Sequence, residues 1–302
     1  MSTPLGLSSS KERSKKLTLT STKIGFVADS TCDIPADLIA KWNIGVIPAF
    51  VNYGGNSYAD DGRDLDRNWL YAHMPTLKPH PTTAGFSPAY AEAILSEAAQ
   101  RVEHVVVLTA PAKLSSMYNT TRLAIENLGL QQRTTLIDSN SLSMGIGFQV
   151  LAGAEMAAAT DDLQQVLAEI NRVRANVHVY AGLSTLEYLR RSGRVSWARA
   201  GMSALLQIKP VVGVTGGDVP QYALVRTFGR AVEKLLELAR ADAPLERLAL
   251  LYTYNPKGAQ TMKDRLADIA PPETLVVSAT PLIGVHIGPE SLGIATVKKV
   301  GK

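Results

Sequence analysis

The side chains best placed for chemistry are short polar clusters that follow apolar runs. Asp29-Ser30-Thr31-Cys32-Asp33 comes after Ile24–Ala28, Thr109-Ala110-Pro111-Ala112-Lys113-Leu114-Ser115-Ser116 ends the run from His104, and Asp138-Ser139-Asn140-Ser141 follows Thr134–Ile137. If the runs are parallel strands, all three clusters sit at carboxyl ends, where open α/β sheets hold their ligands. With Pro81-Thr82-Thr83 they would ring one crevice with hydroxyls and helix N-termini, a chemistry suited to a carboxylate or phosphate. Taken singly, each cluster is also an ordinary helix cap, because Ser, Thr, Asp and Asn are the commonest N-cap residues. The pattern is an anion site without an evident catalytic base.

Motifs that would name a reaction are missing. There is no G-x-G-x-x-G after the first strand, no phosphate loop ending in Gly-Lys-Ser/Thr, no H-E-x-x-H and no G-x-S-x-G. Gly216-Gly217-Asp218 reads as a hairpin turn. His73, His80, His104, His178 and His286 never fall at the i, i+4 spacing of a helical metal pair. We therefore expect no catalytic set, no metal and no cofactor.

The elements that must position these clusters alternate in βαβ fashion. Strands are expected at Ile24–Ala28, Val46–Tyr53, His104–Thr109, Thr134–Ile137, Val177–Ala181, Val211–Thr215, Ala223–Arg226, Leu248–Thr253, Leu275–Ala279 and Gly293–Lys298. Helices are expected at Pro35–Trp42, Ser87–Arg101, Leu114–Leu128, Ser141–Ala159, Leu163–Arg174, Ser184–Arg191, Gly229–Ala241 and Pro256–Ala267. Thr160 or Asp161 would cap the Leu163 helix, and Gly145 with Gly147 weakens the start of the one before it. At 302 residues the chain has room for two α/β units. More hairpin-like β content after about residue 173 puts their boundary there: a tail at 1–23, one unit at 24–173 and a second at 174–302.

Composition narrows the function classes. The chain is 46% hydrophobic and 19% charged, as in an ordinary globular protein. Its net charge of +4 comes from residues 1–23, which hold five basic residues and one acid; the remainder has 26 of each sign. A neutral body argues against nucleic acid, which requires clustered Lys and Arg. The tail lacks apolar periodicity and an apolar signal core, so it reads as disordered. No run reaches membrane-spanning length, since Met144–Ala159 contains Gln149 and Glu155. A lone cysteine, Cys32, points to a reducing, cytoplasmic setting.

Eight segments in order over about residues 24–300 resemble the DegV family, the fatty-acid-binding subunits that present an acyl chain to a separate fatty acid kinase. They are Val27–Pro35, Pro81–Pro88, Lys113–Asn119, Ile137–Ser139, Ser143–Gly145, Leu186–Ser196, Lys209-Pro210 and Gly284-Val285-His286-Ile287-Gly288-Pro289. The resemblance implies a two-domain DegV-like α/β fold: a three-layer α/β/α domain with a parallel sheet, then a smaller α/β domain with a mixed sheet, a long-chain fatty acid lying between them.

Carried over by position, the resemblance puts carboxylate binding on Thr83 and Ser115, with Ser116 beside them, and the head group or phosphoryl hand-off on Arg194 and His286. Asp29, Ser30, Asp138 and Ser139 would support the crevice. The implied partner is a fatty acid kinase catalytic subunit, the chain itself being a non-catalytic carrier in phospholipid metabolism. Departures from the family pattern are Ala84 for Ser, Ser116-Met117 for Gly-Thr and Pro111-Ala112 for Ser-Ser. Burial of a long acyl chain yields about 0.8 kcal/mol per methylene, so a light polar grip suffices. Met74, Met117, Met144, Met156 and Met202 are candidate lining, though such methionines are more often plain core. Two other readings stay open: an enzyme acting on a small carboxylate or phosphorylated substrate through Asp29, Asp138 and His286, and a lipid-responsive regulator.

Overall fold

A computed structural model describes residues 23–199 and 207–300. The expected tail, apart from Lys23, and Met202 lie outside the described residues.

The first sheet is parallel, in the order β2-β1-β6-β7, with β1 at Ile24–Asp29, β2 at Gly45–Ile47, β6 at His104–Thr109 and β7 at Thr134–Asp138. β1 and β6 read as nearly unbroken apolar runs because both faces of the sheet are covered. Helices α3 (Pro88–Arg101) and α4 (Met117–Asn127) pack on one side, and α5 (Met144–Ala159) with α6 (Leu163–Asn176) on the other. Helix α1 (Ala36–Trp42) joins β1 to β2. The cap of α6 is Asp162, one residue past the expected position, its carboxylate accepting from the N–H groups of Gln164 and Gln165.

The mixed sheet follows in the order β10-β9-β8-β13-β11-β12. Its strands are β8 (Val177–Gly182), β9 (Lys209–Val214), β10 (Gln221–Val225), β11 (Leu245–Tyr252), β12 (Leu275–Ser278) and β13 (Leu292–Lys298), antiparallel except for β11 beside β12. Helices α9 (Phe228–Ala241) and α10 (Pro256–Arg265) cover its outer face. Helix α5 touches β8 and β13 as well as β1 and β6, so one helix layer serves both sheets. Its glycines allow this: a Cβ at Gly153 would come within 2.7 Å of Phe26 and 2.8 Å of Ile170. They are contact points rather than weak spots in the helix.

Two features depart from the expected pattern. The run Val46–Tyr53 breaks at Pro48, which has no N–H for a ladder. Its second half becomes β3 (Phe50–Tyr53) in a small antiparallel sheet, β4-β3-β5, with β4 at Asn56–Ala59 and β5 at Thr82–Ala84. Four short helices also depart from that pattern: α2 (Arg67–His73) and α11 (Pro281–Ile287) are additional, and the pair α7 (Glu187–Ser192) and α8 (Ser196–Arg199) stands in place of one helix from Ser184.

Asp242 at the end of α9 ties the outer helix layer to the sheet. Buried, it accepts from His178 Nδ1 (3.0 Å), Tyr180 OH (3.1 Å), Thr296 Oγ1 (2.7 Å) and Lys298 Nζ (3.0 Å). Burial alone would raise its pKa, but the bonds from His178, Thr296 and Lys298 outweigh it and bring it to about 2. A depressed carboxylate lends stability above its ordinary value of 3.8 and loses it as pH falls toward the folded value. We expect Asp242→Asn to remove about 2 kcal/mol of the wild type's stability loss between about pH 4 and pH 2, measured by urea unfolding. An unchanged acid limb would refute this.

Candidate functional site

A cavity of about 260 Å³ lies where the carboxyl ends of the parallel strands meet the inner face of the mixed sheet. Most of its wall is aliphatic, with Leu114, Leu142, Val179, Val212, Leu251 and Leu282 among the contributors. Its polar members include Thr83, Ser115, Ser116, Arg194 and His286, so the fold brings together five residues from four distant segments of the chain. Thr31, Ser143, Ser192, Thr253 and Ser291 also line it and were not singled out from sequence. Thr31 stands inside the first polar cluster, between Ser30 and Cys32, and Ser143 lies two residues past the third; Ser192, Thr253 and Ser291 fall in none of the three.

Helix α11 presents His286, and its start is pinned from three directions. Asp33 Oδ1 accepts from Thr280 N (2.8 Å), Tyr71 OH donates to the carbonyls of Ala279 (2.8 Å) and Thr280 (2.9 Å), and Arg67 donates to Ser278 O (3.2 Å). Gly284 lets the helix rest on the Tyr71 ring, since a Cβ there would lie 2.1 Å from ring carbon. The polar end of the cavity is thus braced by α2, an element the sequence concealed.

His286 Nε2 lies 2.9 Å from Thr83 Oγ1, and Thr83 is held on β5 opposite Val51. Burial lowers the imidazole pKa to about 3, with the positive charge of Arg194 and the nearby His80 adding to the effect. The ring is therefore neutral at physiological pH. Nδ1 is buried with no partner among the described residues, and an orphaned N–H is rarer than an orphaned acceptor. We assign the proton to Nε2, which donates to Thr83 Oγ1 and leaves the threonine hydroxyl free to donate into the cavity.

Ser115 Oγ accepts from Met117 N (3.3 Å), so α4 begins at Met117 and not at Leu114, and the serine retains its own proton for a ligand. Ser116 sits against Gly85, whose hypothetical Cβ would be 3.1 Å from its hydroxyl. Arg194 follows α7 at an exposed turn and donates to Ser192 O (2.8 Å).

Asp29, Ser30, Asp138 and Ser139 are not on the cavity wall. Asp29 accepts from Ala110 N (2.6 Å), Thr31 N (2.9 Å) and the Thr31 hydroxyl, while Ser30 Oγ accepts from Ala49 N (3.2 Å). Asp138 accepts from Ala112 N (3.1 Å) and Asn140 N (2.9 Å), and Ser139 bonds the backbone of Ser141. These four shape the loops that carry the lining. Of the methionines, Met117 faces the cavity, whereas Met74 and Met144 are interior packing and Met156 flanks the main core. Among the described residues no group of three or more His, Cys, Asp or Glu could hold a metal, and no helix is long and apolar enough to cross a membrane.

A parallel and a mixed sheet meeting at an apolar cavity with hydroxyls in its wall define an α/β protein with an internal pocket. The chain belongs to the DegV family: residues 23–299 match the family described as uncharacterised proteins, DegV family. A DegV domain-containing protein of Mycobacterium tuberculosis is 30% identical over 280 residues, spanning 89% of this chain and 95% of the relative. One from Deinococcus radiodurans is 29% identical, spanning 90% and 97%. Among solved structures, a DegV family protein from Thermus thermophilus described by its fatty acid binding aligns with a TM-score of 0.83 at 29% identity, over 92% of this chain and all of that one. DegV of Bacillus subtilis, a fatty acid binding protein, aligns at 0.79 and 23% identity, over 92% and 100%.

The tautomer assignment has a direct check. Nitrogen-15 NMR of the ligand-free protein should show His286 neutral, with the proton on Nε2, throughout about pH 5 to pH 8. Titration near the ordinary histidine value would contradict the site as described.

Proposed function

We propose that the protein binds a long-chain fatty acid between its units at 24–173 and 174–302 and presents the carboxylate to a separate fatty acid kinase for acyl phosphate formation. The observation that carries this reading is the cavity itself: a mostly aliphatic wall ending in Thr83, Ser115, Ser116, Arg194 and His286. Its similarity to the Thermus protein described by fatty acid binding supports the same ligand class. An apolar chain supplies most of the affinity through burial, and the hydroxyls replace the water that a carboxylate gives up. Arg194 is an exposed cation whose charge acts on His286, and it suits an oxyanion or a forming phosphate. Asp29 and Asp138, the acids an intrinsic enzyme would have used, are occupied with backbone N–H groups, which favours a non-catalytic carrier. A lone buried thiol at Cys32 fits a reducing cytoplasm.

Mass spectrometry of solvent extracts should find a fatty acid at one per chain, and calorimetric titration with ATP and magnesium should be flat. Micromolar nucleotide binding would reject the pure-carrier reading. Thr83→Val and Ser115→Ala should each weaken palmitate binding by about 1–3 kcal/mol, with little change in the melting temperature of the lipid-free protein. The double variant should lose less than the sum, because both donors serve one carboxylate. Unchanged affinity in both single variants would remove the head-group assignment. With the kinase present, Arg194→Ala should reduce acyl phosphate formation more than lipid retention; the reverse order would refute the hand-off role.

A further inference from the structure

Beneath the polar end of the cavity lie buried acids that lipid binding leaves unused. Asp29, Asp33 and Asp60 are all interior, and the cation facing Asp33 and Asp60 is Arg67 of α2. The charges do not balance. Asp29 receives two backbone N–H groups and the Thr31 hydroxyl. Asp33 receives two donors: Thr280 N at Oδ1 (2.8 Å) and the Ser143 hydroxyl at Oδ2 (2.5 Å). It therefore joins the start of the His286 helix to a residue of the cavity wall.

Ser143 is itself unusual. Its backbone lies at φ 54°, ψ −140°, in a turn closed by Gly145 N to Leu142 O, at a position where glycine is the default. A side chain kept in so costly a conformation needs a reason, and the observed one is its hydroxyl, aimed at Asp33 from the cavity lining.

Resting on the fatty-acid reading, we infer that Asp33 is a positioning residue of the head-group site, and that entry of a ligand carboxylate brings one proton from solvent onto its Oδ2. The protonated oxygen then donates to Ser143 Oγ, and the Ser143 hydroxyl proton turns from Asp33 toward the ligand. One proton is taken up, no covalent bond to carbon forms or breaks, and the cavity gains a donor as the anion arrives.

The physical case is like-charge repulsion in a poorly solvated interior. Around Asp33 stand Asp29 and Cys32 on its own segment, Asp60 after β4, Arg67 and Tyr71 on α2, Ser143 before α5 and Thr280 before α11. Burial raises Asp33 to about 7 and Asp60 to about 6; the Ser143 and Thr280 bonds at Asp33, and the Arg67 charge at both, pull the other way. Of the two, Asp33 is the one bonded both to the cavity wall, through Ser143, and to the start of α11, through Thr280. On the cavity side, burial keeps His286 and His80 on the neutral side of the same range, and Arg194 is a permanent cation.

Hexadecanesulfonate, anionic at every working pH, separates protein protons from ligand protons. Its dissociation constant for the wild type should rise by up to about tenfold per pH unit above about pH 7, with uptake approaching one proton per ligand in buffers of different ionisation enthalpy. Asp33→Asn places an amide N–H where the protonated oxygen would donate, so it should keep the low-pH affinity of the wild type at every pH. Ser143→Gly suits the local backbone; lipid-free, it should melt no lower than the wild type yet bind the probe about tenfold more weakly at about pH 6. A flat wild-type profile, a slope that persists in Asp33→Asn, or full affinity in Ser143→Gly overturns the inference. Failure of both the sulfonate and palmitate to bind would reject the lipid reading itself, whereas palmitate binding with a flat sulfonate profile rejects the proton step alone.

Discussion

Helix α5 has almost no face left for water, and the rest of the molecule is arranged around that constraint. It touches β1 and β6 of the parallel sheet and β8 and β13 of the mixed sheet, so its sequence is apolar on every side and its close contacts fall on glycine. A layer shared between two sheets makes their separation a property of one helix's thickness. It also fixes where the sheets stop being held together. Leu142 and Ser143, immediately before α5, belong to the cavity wall, so the ligand space begins where the shared helix ends. Gln149, the polar residue that argued against a membrane span, is buried in this layer and donates to Ser139 O and Gly145 O. It links the helix to the loop after β7.

The second constraint is the seat of α11. This helix brings His286 to Thr83 across 203 residues of sequence, and it is anchored by residues from distant parts of the chain. They are Asp33 from the first strand's loop, Tyr71 and Arg67 from α2, and the glycine contact with the Tyr71 ring. A polar end assembled from such distant segments is precise only if each segment is itself rigid, and here the rigidity comes from buried hydrogen bonds. The neutral imidazole is part of the same logic. An ion pair with a bound anion would be strong but costly to break, while a hydroxyl grip is weaker and more readily undone.

Legibility in the sequence followed burial and length. Strands such as β6 stood out because a run of five apolar or β-branched residues, Val105 to Thr109, buried on both faces has few alternative readings. The third sheet did not, since β5 is three residues long, half polar, and gains its meaning only by pairing with β3. Pro48 gave a local hint that Val46–Tyr53 was two strands, and the apolar continuity of the run masked it. Helix α11 is short and opens with a proline, so its seven residues looked like loop. The binding clusters were legible as clusters, but not which members faced inward: Thr31 and Ser143 reach the cavity, while Asp29 and Ser139 turn to backbone. That choice depends on loop geometry set by distant contacts, which residue types alone do not encode.

The departures from the family pattern can now be weighed. Ala84 lies on β5 and Met117 at the start of α4, both on the cavity wall. Each puts an apolar group where the pattern has a hydroxyl, so the ring of donors around the proposed carboxylate is thinner on the side formed by β5 and α4. Buried carboxylates are penalised unless their lost water is replaced. The remaining replacements come from Thr83, Ser115 and Ser116, the last a hydroxyl where the pattern has glycine, and from Thr31 and Ser143, whose hydroxyls are engaged by Asp29 and Asp33. With fewer donors there, the grip on the proposed carboxylate rests more heavily on whether those engaged hydroxyls can be turned toward it. The acids beneath the cavity therefore matter more in this chain than they would where Ser and Thr occupy positions 84 and 117.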